Sequence, residues 1–151
     1  MKKIFLIVSF LILITTTAFA VIENKAGEVI GQMGTTFNER SGKTEKVEKG
    51  YIITMNDFLQ TGEDGGMIIK YVDDTKFTMG PNTELIIDEF AFDTSKVPII
   101  VAMSTTVNVG TFTYESGQIS NLGGNVEINT ASATITVQGT CLLYTSDAAD
   151  E

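Results

Sequence analysis

The residues of this chain able to do acid, base or ion chemistry are carboxylates that fall in adjacent pairs, Glu63-Asp64, Asp73-Asp74 and Asp88-Glu89. Two carboxyls with separated pKa values run glycoside hydrolysis, and several oxygen ligands hold calcium. The calcium-loop spacing is absent, since no D-x-D-x-D-G loop with a closing Glu occurs. The first two pairs sit beside Gly and Thr, where Asp is favoured because its short side chain bonds the local backbone and tolerates a left-handed conformation. The pairs therefore read as turn residues and a solvated strand face. No catalytic residue, metal ligand or cofactor site is assigned.

Composition removes further chemistry. There is no His and no Trp, and Cys141 is the single Cys. A Ser–His or Cys–His nucleophile lacks its base, and His-ligated zinc, iron or haem lacks its ligand. No G-x-S-x-G elbow, P-loop or G-x-G-x-x-G is found; the Gly-rich run Gly62 to Gly66 resembles a hairpin turn with no helix after it to receive phosphate. A formal charge of −9 argues against nucleic-acid binding, which needs clustered Lys and Arg. The aromatic residues Tyr51, Phe58, Tyr71, Phe77, Phe90, Phe92, Phe112 and Tyr114 read as core, with the lining of a ligand groove as the alternative. Phe90-Ala91-Phe92 is the best candidate for an exposed apolar patch. With Asp88 and Glu89 it forms the candidate interaction edge Asp88, Glu89, Phe90 and Phe92.

The elements that would position these residues are strands. Hydrophobic residues make up 43% and charged residues 19%, enough to bury one core. All fourteen Gly and both Pro fall after residue 20, at short intervals that punctuate strands. Val126 and Ile128 share a face opposite Glu127, and Ala133, Ile135 and Val137 alternate with Thr134, Thr136 and Gln138, a period of two. Turns are expected at Gly62 to Gly66, at Asp73-Asp74 and at Gly80-Pro81-Asn82. Residues 34–49, polar and charge-rich, read as a long hairpin or loop. Leu85 and Ile87 lie on one parity and Phe90 and Phe92 on the other, which predicts a bulge or bend near Asp88-Glu89. The expected fold is all-β, an antiparallel sandwich or partial barrel of eight to ten short strands; the alternative is a short β-solenoid, although no fixed repeat is visible.

Two terminal segments stand apart. Lys2 and Lys3, an apolar run over residues 4–14, and Ala18-Phe19-Ala20 make a secretory signal peptide over residues 1–20, with cleavage expected after Ala20. The apolar run is shorter than the roughly 20 residues of a membrane span. Residues 141–151, C-L-L-Y-T-S-D-A-A-D-E, resemble the translation of an adapter used in preparing DNA sequencing libraries, and break the strand pattern that runs to Thr140. They are expected to be a non-native tail, leaving residues 21–140 as the domain and no disulfide available.

The turns carry a family resemblance. Asp57-Phe58-Leu59-Gln60-Thr61-Gly62-Glu63-Asp64-Gly65 resembles the D-x-L-x-T-G-x-D-G core of FecR-type domains. Asp73-Asp74-Thr75 is similar to their D-G-T turn, and Gly80-Pro81-Asn82-Thr83-Glu84-Leu85 to their G-P-N-S-x-L segment. Val109-Gly110-Thr111-Phe112 resembles a further strand, and the run from Ile128 to Gly139-Thr140 resembles the closing T-P-x-A-T-I-G-V-R-G-T signature. The matches keep family order over most of residues 27–140. The matched positions, which the resemblance makes structural or turn residues, are Asp57, Leu59, Thr61, Gly62, Asp64, Gly65, Asp73, Thr75, Gly80, Pro81, Asn82, Gly139 and Thr140. Asp74 stands where the family has Gly, Ala131 where it has Pro, Thr136 where it has Gly and Gln138 where it has Arg. In the family the chain continues after G-T into another strand, so the domain is expected to be truncated.

The resemblance implies an exported binding or sensory module of the cell envelope, non-enzymatic, periplasmic or secreted, whose partner is another envelope protein. It touches the membrane only transiently, through the signal peptide. The family's best-known member relays a signal across the inner membrane to a sigma factor, which implies a link to transmembrane signalling or sigma-factor regulation. The alternatives are a structural or adhesive β-module of a larger surface protein and, from a different class, a hydrolase using the carboxylate pairs.

Overall fold

A computed structural model describes residues 25–138 and 141–146. The segment expected to be a signal peptide, its expected cleavage site, Gly139, Thr140 and residues 147–151 lie outside the described residues. The strands are β1 (Lys25–Met33), β2 (Thr36–Arg40), β3 (Lys43–Lys46), β4 (Ile52–Thr54), β5 (Phe58–Thr61), β6 (Gly66–Tyr71), β7 (Lys76–Met79), β8 (Glu84–Asp93) and β9 (Ile100–Glu115). A single helical turn, α1 (Gln118–Asn121), precedes β10 (Asn125–Thr130), β11 (Thr134–Thr136) and β12 (Cys141–Ser146).

Nine strands form one curled antiparallel sheet, a half-barrel, in the order β3-β2-β5-β8-β9-β7-β6-β1-β4. The chain is all-β with the architecture of a partial barrel, and no stacked coils of a solenoid are present among the described residues. Alternation builds it. In β6 and β7 the residues Met67, Ile69, Tyr71, Phe77 and Met79 are buried, and their neighbours face outward. Each such burial stabilises by roughly 1.5–3 kcal/mol. Ser41 and Gly42 both have positive φ, so residues 34–49 become the β2–β3 hairpin with a tight turn. The parity change at Asp88-Glu89 is a register shift between Ile87 and Glu89 against β9.

Four features depart from the sequence reading. β9 is a single strand of 16 residues, pairing with β8 along its first part and β7 along its last. β10 runs parallel to β9, with Asn125 opposite Ala102. A straight strand from Ala102 to Glu115 would span roughly 43 Å. The returning segment of ten Cα steps reaches at most about 36 Å, and less with a helical turn in it. β9 must therefore bend, and Gly110, at φ +108°, sits where its partner changes. The helical turn α1 is too short to show a period, and it buries Ile119 completely. Finally, Cys141–Ser146 does not break the strand pattern: it alternates and pairs antiparallel with β9.

Candidate functional site

The matched turn residues gather into structural networks. Thr61 Oγ1 donates to the Gly80 carbonyl at 2.7 Å and accepts from Thr83 N at 2.9 Å. Gly65 N donates to Gly62 O, Asn82 N donates to the same oxygen, and Asp64 Oδ1 accepts from Thr35 N at 3.1 Å. The Gly62–Gly65 and Gly80–Asn82 turns are thus locked to each other at one end of the sheet. Gly65 has no room for a side chain, since a Cβ would lie 2.3 Å from Thr35 O. Asn82 and Asp74 adopt the left-handed backbone expected of them, at φ +48° and +69°. Pro81 is exposed and Leu59 is core.

Two buried carboxyls anchor separate places. Asp57, fully buried, accepts both branches of the Arg40 guanidinium at 2.5 and 2.6 Å and the Thr54 N–H at 2.9 Å. The hydrogen bond to Asp57 holds the Arg40 guanidinium above its ordinary pKa. Asp73, also fully buried, accepts from Thr75 N at 3.1 Å, Thr75 Oγ1 at 2.7 Å and Ile119 N at 3.2 Å. Thr75 Oγ1 in turn accepts from Gly117 N. Arg40 and Ile119 carry no signal in the sequence, because their partners lie 17 and 46 residues away.

The remaining carboxylates do not converge. Asp74 pairs with Lys70 at 2.9 Å and accepts from Gln118 at 2.9 Å; Asp88 accepts from Thr106 at 2.7 Å on the outer surface. No group of three His, Cys, Asp or Glu side chains gathers among the described residues. Asp64, Asp74 and Asp93 sit below the ordinary carboxylate pKa of 3.8, held by hydrogen bonds from Thr35, from Lys70 and Gln118, and from Ser95 and Lys96 respectively. A lowered pKa contributes stability that is present above 3.8 and lost as pH falls through the folded value. The urea midpoint is therefore expected to hold as pH falls from neutral to 3.8 and to drop progressively below it. A midpoint unchanged at the acid end would show these bonds to be energetically idle.

The candidate interaction edge is only partly exposed. Asp88 and Glu89 face solvent, but Phe90 and Phe92 are half-buried against the core. The Phe90 ring stacks on buried Tyr71 at 5.3 Å, because the bulge at Asp88 turns the following residues inward. The exposed apolar patch expected there is thus corrected. Burial, and then the neighbouring Asp73, raise the Tyr71 hydroxyl well above its usual range; it has no hydrogen-bond partner among the described residues.

A different surface is distinctive. Across β1, β6, β7, β9 and β12 the residues Gly31, Ile68, Thr78, Thr113 and Leu143 are cross-strand neighbours in one outward row. Beside it run Met33, Gly66, Gly80 and Thr111. Both rows are uncharged, and Met33, Ile68 and Leu143 are exposed. Two shallow depressions, about 280 and 250 Å³, share Thr78 and cover this face. The next row is charged and self-paired, with Lys25 bonded to Glu28 and Lys76 to Glu115. Sequence reading missed this face because its residues come from five strands. Their common feature, small or aliphatic residues outward on successive strands, emerges only with the register.

No family model, curated protein or solved structure matches this chain.

Proposed function

We propose that this chain is an exported, non-enzymatic binding module of the cell envelope that captures another envelope protein, in the manner of the FecR-type domains its turns resemble. The observation that carries the reading is the uncharged face of β1, β6, β7 and β9 on a protein of net charge −9. An apolar and threonine-rich face bordered by charges is the composition of a protein-binding surface. The buried carboxyls are committed to backbone donors and Arg40, which supports a scaffold role for the matched turns. Transmembrane signalling through a partner is the use that the resemblance supports.

The test is capture from envelope extract with the immobilised full chain and with Ile68→Glu. Ile68 is 37% exposed, so a charge there is expected to move the urea midpoint little. It is expected to reduce recovery of a reproducible partner about tenfold, the scale of a 1.4 kcal/mol interface contact. No reproducible partner, or equal recovery by both proteins, would count against the reading.

A further inference from the structure

We propose that the inward side chains of β2 form a seam that closes the half-barrel and keeps the edge of β4 from pairing with β4 of a second copy of this chain. The sheet ends at β3 on one side and at β4 on the other, and among the described residues β4 pairs with β1 only. The two ends are protected differently. β3 is exposed at every position, and its Lys43, Glu45 and Lys46 blunt the edge with charge. β4 has no such charge. With the residue before it, it reads Tyr51-Ile52-Ile53-Thr54, an aromatic and β-branched run of the kind that adds strands readily.

Protection of β4 comes from β2. Thr36, Asn38 and Arg40 share one parity of β2, the inward one, where β6 and β7 place apolar side chains. Each of the three reaches across the gap instead. Thr36 Oγ1 donates to Val47 O at 2.9 Å, Asn38 Nδ2 to Tyr51 Oη at 3.0 Å and Arg40 Nη2 to Ile52 O at 2.9 Å. These bonds follow chain order on both sides, so a ladder of side chains stands where a backbone ladder is missing. Tyr51 O accepts from Val29 N of β1, and alternation along the strand then turns the polar groups of Ile52 and Thr54 to the open side. There Arg40 takes Ile52 O, and Asp57, held by Arg40, takes Thr54 N at 2.9 Å. A strand arriving at β4 meets groups that are already paired. The Arg40 guanidinium also lies 5.5 Å from the centre of the Tyr51 ring, a second hold on it. Arg suits the position because its planar fork serves a carboxylate and a carbonyl together, which a Lys ammonium on a flexible stem does not.

The test is sedimentation velocity of the full chain over a wide range of concentration. Arg40→Met with Asp57→Leu removes both charges together, so no buried carboxylate is left without its partner, and it opens Ile52 O and Thr54 N. This double variant is expected to self-associate at least about tenfold more tightly than wild type. In its monomer the Thr54 amide is expected to exchange at least about tenfold faster. Ile52 is half-buried on the outward parity of β4, opposite to buried Ile53. Adding Ile52→Lys to the double variant therefore places a charge on the opened edge, and is expected to restore the sedimentation of wild type. Arg40→Lys alone keeps the pair with Asp57 and frees Ile52 O; it is expected to associate to an intermediate degree, and it carries the test should the double variant lack a cooperative melt. A folded double variant that sediments as wild type does would overturn the proposal, as would a triple variant that associates as strongly as the double. With the double variant unfolded, an Arg40→Lys protein indistinguishable from wild type would overturn it too.

Discussion

Replacing Asp73 by alanine is expected to cost about 3–5 kcal/mol, a large part of the 5–15 kcal/mol that holds a domain together. The carboxyl is fully buried and accepts from two backbone N–H groups and one hydroxyl. Its removal leaves Ile119 N, Thr75 N and Thr75 Oγ1 seeking partners away from water, at about 1–3 kcal/mol for each group left unsatisfied. Thr75 Oγ1 also holds Gly117 N, so the loss spreads along the chain entering α1. The bond between Asp73 and Ile119 spans 46 residues and ties the β6–β7 turn to the segment that leads β9 into β10. Urea unfolding measures the loss. Hydrogen exchange at Ile119 and Gly117 is expected to accelerate ahead of exchange in β6. A cycle with Thr75→Val is expected to be strongly non-additive, because both changes break the same network. A loss below about 1 kcal/mol would show the network to be replaceable by water.

Gly110→Ala is expected to be comparably severe, at about 3–5 kcal/mol, or to prevent folding. Gly110 has φ +108°, and a Cβ there would lie 2.3 Å from Thr83 Oγ1 and 2.5 Å from Thr83 Cα. Thr83 has no freedom to yield. It is fully buried, its hydroxyl donates to Thr111 O and accepts from Thr111 N, and its own N–H is held by Thr61. The residue also marks the bend that lets β9 serve both halves of the sheet. Gly42→Ala separates the two sources of cost. Gly42 has φ +75°, but nothing lies within 4 Å of its added Cβ. It is expected to lose only about 1–2 kcal/mol, from the backbone conformation alone. Equal losses at the two sites would remove the steric account of Gly110.

Strand character, hairpin turns and the bulge were legible in the sequence because each is a local property. Period-two alternation identifies a half-buried strand wherever it lies in the chain. Asp74 and Asn82 identify turns because few residues tolerate positive φ. The change of parity between Ile87 and Phe90 identifies the bulge, since a one-residue insertion reverses every later side chain. The same arithmetic went astray at Phe90 and Phe92. Parity says which residues share a face, and only the curl of the sheet over Tyr71 says whether that face is covered.

What the residues dictate through their own backbone preferences and periodicity is an all-β chain with turns at named places. Long-range pairing had to choose the rest: Arg40 for Asp57, Ile119 for Asp73, the parallel placement of β10, and the edge of β9 for residues 141–146. Each choice brings together groups far apart along the chain, and many pairings satisfy the same local pattern. The one adopted closes the core around a bent β9 while leaving an uncharged outer face on five neighbouring strands. Contact energy between distant residues decides that, and no short stretch of sequence carries it.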